Sequence, residues 1–175
     1  MKRFVSIVCI LAMVLSTASM ASAAGNSSAN ITTTTSVTNT IVSGDVDIDN
    51  FVSAAATDKV NVQSVNIVSS SLIGGDLTID NYGVLIGDKV ASTKINLITD
   101  AIVTGDIEVN NVDQIVGRDI SVTDATSIQS VLAGGNIDIN SIAKTYRGYD
   151  KLDANIQTVI DNVISGSLSV KNFVE

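Results

Sequence analysis

The 175-residue chain contains no histidine, proline or tryptophan, and it has only one cysteine, Cys9. Without histidine it cannot form a Ser-His or Cys-His catalytic pair, and it has no imidazole to hold a metal ion. One cysteine cannot form an internal disulfide, so stability outside a cell would have to come from packing and hydrogen bonds. Aromatic residues make up only 3% of the chain. We therefore expect no enzymatic activity and no cofactor.

The first 23 residues have the pattern of a secretory signal peptide. Lys2 and Arg3 precede an apolar run from Val5 to Leu15, and residues 21–23 form a small-x-small cleavage site. The run is short for a membrane span, and a retained anchor is the alternative interpretation. We expect a secreted or cell-surface protein whose mature chain begins near Ala24 and is not attached to the membrane after cleavage.

The charge of the chain is strongly acidic. It carries 18 acidic and 10 basic residues, and loss of Lys2 and Arg3 with the signal would change the net charge from −8 to about −10. Nucleic acids and anionic membranes are bound through basic patches, which this composition does not supply. We expect neither as a partner. The apolar residues are mainly Val, Ile, Leu and Ala, with abundant Thr, which favours strands and an all-β class.

The chain does have a repeat of 30 or 31 residues. Glycine recurs in steps of 31, 30, 30 and 31, at Gly44, Gly75, Gly105, Gly135 and Gly166. In each repeat the positions two and four after the glycine are aliphatic, and those one and three after it are mostly polar. This alternation is typical of a strand with one buried face. A fixed period in this range indicates stacked repeats.

Further columns support a solenoid. Aliphatic residues recur seven positions before each glycine and also three before it, at Ile41, Leu72, Ile102, Leu132 and Val163. A separate mid-repeat strand, such as Lys59 to Val62, gives three short strands per repeat. We predict a β-solenoid of about five coils over residues 37–175, after a Thr/Ser/Asn-rich segment at 24–36, with an antiparallel sandwich as the alternative. Gly87, Gly117 and Gly148 predict corners with positive φ.

Neither end of the repeat array has a recognisable cap. The residues between the cleavage site and Gly44, together with Gly166 to Glu175, amount to about one repeat. An uncapped solenoid exposes hydrogen-bonding strand edges. One interpretation is head-to-tail stacking, in which the last partial coil of one subunit is completed by the first coil of the next. In the other, residues 24–35 fold over an end or stay disordered.

Carboxylates are the remaining candidates for site chemistry. In-register stacking would align Asp45, Asp76, Asp106 and Asn136 in one outward column, and Asp47, Glu108 and Asp138 in the next. The first interpretation is a solvated acidic face that keeps the protein soluble. The second is weak calcium binding by Asp45, Asp47, Asp76, Asp106, Glu108 and Asp138. A glycosidase pair is disfavoured, because such a pair should be a single asymmetric site.

Two further columns follow each strand. Asn50, Asn81, Asn111 and Asn172 lie six positions after the glycine, with Ser141 as the exception. Stacked asparagines can hydrogen-bond along the axis, or asparagine tolerates a turn at the strand end. The next column predicts an apolar packing seam, with a carbohydrate-binding aromatic ladder as the alternative; its residues are Phe51, Tyr82, Val112, Ile142 and Phe173.

The five glycine phrases, clearest from Gly135 to Asn140, resemble the repeats of bacterial functional amyloids of the Fap and curli types. The chain departs from them in its few glutamines, its many aspartates and the absence of a C-terminal cysteine motif. The resemblance implies an exported subunit that polymerises into a biofilm fibre. We expect end-to-end self-association into an extracellular or cell-surface fibre or matrix, with other matrix components as further partners. The alternatives are a monomeric adhesin or carbohydrate-binding solenoid and, least favoured, a β-helix enzyme acting on polysaccharide.

Overall fold

A computed structural model describes residues 19–22, 27–146 and 150–174 of the chain, and these ranges contain strands and no helix. Apart from the short strand Ser19–Ser22, every strand pairs in parallel with the equivalent strand of a neighbouring coil, 30 or 31 residues away. The predicted β-solenoid is confirmed, and the antiparallel sandwich is wrong. None of the described residues forms a helix that is long and apolar enough to span a membrane.

Each coil has an 11-residue strand, a two-residue strand and a third strand of 10 residues, or of 7 residues in the last coil. Strand β1 (Ser19–Ser22) precedes the first coil, which is β2 (Ser28–Thr38), β3 (Ile41–Val42) and β4 (Val46–Ala55). The second coil is β5 (Lys59–Ser69), β6 (Leu72–Ile73) and β7 (Leu77–Ile86), and the third is β8 (Lys89–Thr99), β9 (Ile102–Val103) and β10 (Ile107–Val116). The fourth is β11 (Asp119–Gln129), β12 (Leu132–Ala133) and β13 (Ile137–Tyr146), and the fifth is β14 (Asp150–Ile160), β15 (Val163–Ile164) and β16 (Leu168–Val174).

Equivalent strands stack into three sheets. Sheet A has the order β1-β4-β7-β10-β13-β16, sheet B has the order β14-β11-β8-β5-β2, and the narrow sheet C has the order β15-β12-β9-β6-β3. The strands of sheets A and B alternate between buried and outward side chains. Columns of aliphatic residues therefore line the interior, such as Ile48, Ile79, Val109 and Ile139, which are all fully buried.

The strand boundaries differ from the prediction in two ways. The mid-repeat strand and the strand expected before each glycine are one continuous strand, as in Lys59–Ser69. The two-residue strand of sheet C lies between that long strand and the glycine, and its first residue faces solvent, so the column beginning at Ile41 is exposed rather than part of the core. The solenoid also begins earlier than the predicted Val37, because Ser28 to Thr38 pairs in register with β5. Ser28 to Thr35 is thus neither disordered nor folded over an end.

The left-handed backbone positions are not at the predicted glycines. Positive φ occurs at the corner between sheets B and C in every coil, five positions before the repeat glycine, at Asn39, Ser70, Asp100, Ser130 and Asp161. Asn and Asp tolerate this conformation better than most residues. Gly87 and Gly117 do lie at corners, between sheets A and B, but neither has a left-handed φ. At Gly117 a Cβ would lie 2.8 Å from the carbonyl oxygen of Gly87, so close backbone approach excludes a side chain there. Gly148 lies outside the described residues.

Most of the predicted signal peptide, together with Ala24 to Asn26, also lies outside the described residues. Its residues Ser19 to Ser22 form β1, which pairs in parallel with Val52 to Ala55 of β4. Cleavage before Ala24 would remove this strand from the edge of sheet A.

Candidate functional site

The repeat glycines leave room for a side chain from the preceding coil. The backbone N–H of Asp76 donates to Oδ1 of Asp45 at 2.9 Å, and that of Asp106 donates to Oδ1 of Asp76 at 2.8 Å. The same contact continues from Asn136 to Asp106 and from Ser167 to Asn136. A Cβ at Gly105 would lie 1.8 Å from Oδ1 of Asp76. This column of Asp and Asn is therefore a ladder of bonds between coils as well as an acidic surface.

Gly44 is the exception in this column. Nothing lies within 4 Å of the position that a Cβ would take on Gly44, whereas Gly75, Gly105, Gly135 and Gly166 all face an Asp or Asn oxygen of the preceding coil. Its φ is also outside the left-handed region. The described chain thus gives no steric reason for glycine at this first position of the column.

The neighbouring acidic residues align as predicted, with Asp47, Glu108 and Asp138 in register along sheet A. Within the described residues no group of three or more acidic side chains is arranged to hold a metal ion. Beside this column, partial burial and the nearby Asp49 and Glu108 raise the pKa of the Asp80 carboxyl, although Nδ2 of Asn110 donates to it at 2.8 Å. Calcium binding at the predicted positions stays a prediction.

The asparagine column is buried in the core rather than placed at strand ends, so the turn interpretation is wrong. The strands that carry Asn50, Asn81 and Asn111 continue for five residues beyond them, and all three side chains are almost completely inaccessible to solvent. Opposite them, sheet B contributes a second polar column that we did not predict: Thr35, Asn66, Asn96, Thr126 and Gln157. The two columns face each other across the core.

The amides form one connected double ladder. Nδ2 of Asn81 donates to Asn111 at 2.8 Å and to Asn96 at 3.2 Å, while its Oδ1 accepts from Asn50 at 2.9 Å and from Asn66 at 3.0 Å. All four hydrogen-bonding positions of Asn81 are therefore filled. The same pattern continues to Asn96, whose Nδ2 reaches Oγ1 of Thr126 at 3.3 Å. Asn50, Asn66, Asn81 and Asn96 all donate across the core or towards the C-terminal end, whereas Nδ2 of Asn111 is buried without a hydrogen-bond partner among the described residues.

Sequence reasoning also missed a buried charged cluster. Lys94 forms an ion pair with Asp113, and both side chains are almost fully buried. Asp124 lies nearby, and burial raises the pKa of its carboxyl from 3.8 to about 6 despite the opposing effect of Lys94. A Cβ at Gly83 would lie 2.1 Å from Oδ1 of Asp113, so this glycine makes space for the carboxylate. The period-2 pattern places all of these residues inward, which is the signal that reveals them.

In the last coil, residues of the core columns are exposed, whereas the equivalent residues of the other coils are buried. Leu168 is 48% exposed and Val170 is 43% exposed, although their counterparts Ile137 and Ile139 are fully buried. No strand of the described chain pairs with the outer edges of β14, β15 and β16. At the other end, β1 covers only Val52 to Ala55 of β4, and the edges of β2 and β3 have no partner among the described residues. Within the part of the chain that the structure describes, both ends of the solenoid are therefore open.

The predicted apolar seam lies on the outside of sheet A. Its members are in register, and Phe51 and Tyr82 are 44% and 41% exposed. Val112 and Ile142 are half-buried, so the column forms a partly exposed apolar stripe outside the core. No protein-family model, curated protein or solved structure matches this chain.

Proposed function

We propose that the protein is an exported structural subunit that assembles end to end into an extracellular or cell-surface fibre. The main supporting observation is the open last coil, where Leu168 and Val170 occupy core columns that no other described residue covers. Burying the remaining half of each side chain would contribute about 1 kcal/mol, and the unpaired strand edges would gain hydrogen bonds. Export is supported only by the signal-like pattern of residues 1–23.

The two ends match each other in register. In a head-to-tail stack, β14, β15 and β16 of one copy would lie beside β2, β3 and β4 of the next copy, in the same register that equivalent strands have within one solenoid. In such a stack β16 would lie along Val46 to Val52, most of which β1 leaves free. The outward column that starts at Asp49 ends at Lys171, so opposite charges would meet at the junction.

Gly44 fits the same arrangement. In a head-to-tail stack the next member of the ladder column, Ser167 of the preceding copy, would lie where Asp45 lies relative to Gly75. Gly44 would then have the same steric role as the other four glycines.

The test compares two lysine substitutions on strand β16. Val170→Lys places a charge on the open core column, whereas Phe173→Lys places one on the outward face of the same strand. We expect Val170→Lys to abolish fibre growth measured by thioflavin fluorescence and electron microscopy, and Phe173→Lys to retain it. Equal growth of both variants would contradict the proposal. A wild-type chain that stays monomeric for days would instead favour a monomeric adhesin or sugar-binding solenoid that uses exposed residues such as Phe51 and Tyr82.

A further inference from the structure

The outer face of sheet B carries no charge among its described residues beyond the first position of each strand. Its outward side chains are Asn30, Thr32, Thr34, Ser36 and Thr38 on β2; Asn61, Gln63, Val65, Ile67 and Ser69 on β5; Ala91, Thr93, Ile95, Leu97 and Thr99 on β8; Ser121, Thr123, Ala125, Ser127 and Gln129 on β11; and Ala154, Ile156, Thr158 and Ile160 on β14. By contrast, the outer face of sheet A carries Asp47, Asp49, Asp80, Glu108 and Asp138.

We call this surface the sheet B face, and it has a ridge beside a hollow. Ala125 and Ser127 form a hollow of about 130 Å³ on β11. A ridge on β8, made by Ile95 and Leu97, bounds one side, and Ile156 on β14 bounds the other. Because neighbouring strands are in register, ridge and hollow lie at the same positions along their strands.

We propose that two copies of the chain pair laterally through the sheet B face, with their solenoid axes antiparallel. A two-fold axis along the strands, midway between β8 and β11, places β8 of each copy opposite β11 of the other. The Ile95 and Leu97 ridge of each copy then enters the hollow over Ala125 and Ser127 of the partner copy. Both hollows are filled by one operation, as a closed two-fold interface requires.

Charge favours a second copy as the occupant. The chain has a net charge of −8, so two copies repel each other wherever carboxylates meet. The sheet B face is the broad surface on which this repulsion is absent. At its rim the same axis places Lys89 of one copy opposite Asp119 of the other, since both begin their strands at the same register position.

The area is sufficient for a specific contact. The four overlapping strands, about 4.8 Å apart, span roughly 19 Å, and nine residues of each strand span about 30 Å. About 600 Å² per copy, or roughly 1,200 Å² in total, reaches the lower limit of specific interfaces. The charge-free Thr, Val and Ile composition in parallel register suits dry interdigitation between sheets. This contact is separate from the end-to-end junction and does not depend on it.

The test uses single substitutions with a matched control. Ile95→Lys charges the ridge and Ala125→Leu fills the hollow, whereas Val84→Lys places a charge at an equally half-buried outward position on sheet A of the same solenoid. Sedimentation velocity of the secreted chain, in the Val170→Lys background that stops elongation, measures the pairing. We expect dimers for the background and for Val84→Lys, with at least a ten-fold weaker dimer for both sheet B variants.

Circular dichroism confirms that each variant keeps its β-structure. A monomeric background chain, or dimers of equal strength in all variants, would overturn the lateral pairing. In otherwise unsubstituted chains, a normal fibre whose mass per length is halved by Ile95→Lys would support both contacts. Failure of end-to-end growth with intact dimers would overturn only the fibre proposal.

Discussion

The repeat glycines make a prediction that compares one substitution at two equivalent positions. Gly105→Ala would place a Cβ 1.8 Å from Oδ1 of Asp76, so the carboxylate would have to rotate away. It would then lose its 2.8 Å bond from the backbone N–H of Asp106. A hydrogen bond to a charged group contributes about 1.5–3 kcal/mol, and the lower end applies because both residues are exposed. The new Cβ would also lie 3.0 Å from the carbonyl carbon of Gly75.

At Gly44 the same substitution meets nothing within 4 Å. Its φ suits alanine, so the lower entropy of the unfolded chain should stabilise the fold by about 0.4–1 kcal/mol. We therefore expect Gly105→Ala to cost roughly 1–2 kcal/mol and Gly44→Ala to cost nothing or to stabilise. The assay is equilibrium urea unfolding followed by circular dichroism, in the Val170→Lys background that keeps the chain from elongating.

A double-mutant cycle tests the stated cause. In an Asp76→Ala background the carboxylate is absent, so Gly105→Ala should cost well under 1 kcal/mol, and the two substitutions should be clearly non-additive. Equal costs at Gly44 and Gly105, or an unchanged cost of Gly105→Ala in the Asp76→Ala background, would refute the steric account of the column.

Two predictions concern the core. Asn81→Ala leaves four amide groups each short of one hydrogen bond, so we expect the free energy of unfolding to fall by more than about 3 kcal/mol. Asn172→Ala, at the exposed end of the same column, should lower it by less than about 0.5 kcal/mol in the same urea assay. Equal losses for the two substitutions would contradict the ladder's role. Asp124 faces Lys94, Asp113, Ser141 and Asp153, and burial raises its pKa from the usual 3.8 to about 6. The folded state therefore favours the protonated carboxyl, so its contribution to stability is greatest below about pH 4 and is lost as the pH rises through about 6. At pH 7 Asp124→Asn should be more stable than the parent by about 3 kcal/mol, with the difference shrinking towards pH 4; a pH-independent difference would contradict this assignment.

The solenoid itself followed from the sequence because columns 30 or 31 residues apart report directly on parallel register. The alternation after each glycine likewise predicted the buried faces of sheet A. The corners were harder, because a left-handed residue such as Ser70 or Ser130 has no strong sequence signature. The repeat period shows that glycine recurs but not why, whereas a contact between coils explains it at Gly75, Gly105, Gly135 and Gly166. That contact involves residues 30 apart and needs three-dimensional distances.

The buried polar residues were missed for a different reason. Lys94, Asp113 and Asp124 occur in single coils, so they do not appear as a column. A charge at one inward position of an otherwise apolar pattern looks like an irregularity of the repeat. Only the pairing of Lys94 with Asp113 across the core, with space provided by Gly83, shows how these charges are accommodated.

The buried amides give the solenoid a direction. Asn50, Asn66 and Asn81 donate their N–H groups across the core and to the following coil, and Asn96 donates to Asn111 across the core and to Thr126 in the following coil. Their dipoles add along the axis, so the two ends are chemically different and a coil joined in the reverse sense would set like groups against each other. A single end-to-end filament of such subunits would be polar, with one end not equivalent to the other, whereas antiparallel pairing through the sheet B face would make the two ends of the paired fibre equivalent. Elongation rates at the two ends should then differ in a single filament such as that expected for Ile95→Lys, and should be equal in the paired fibre.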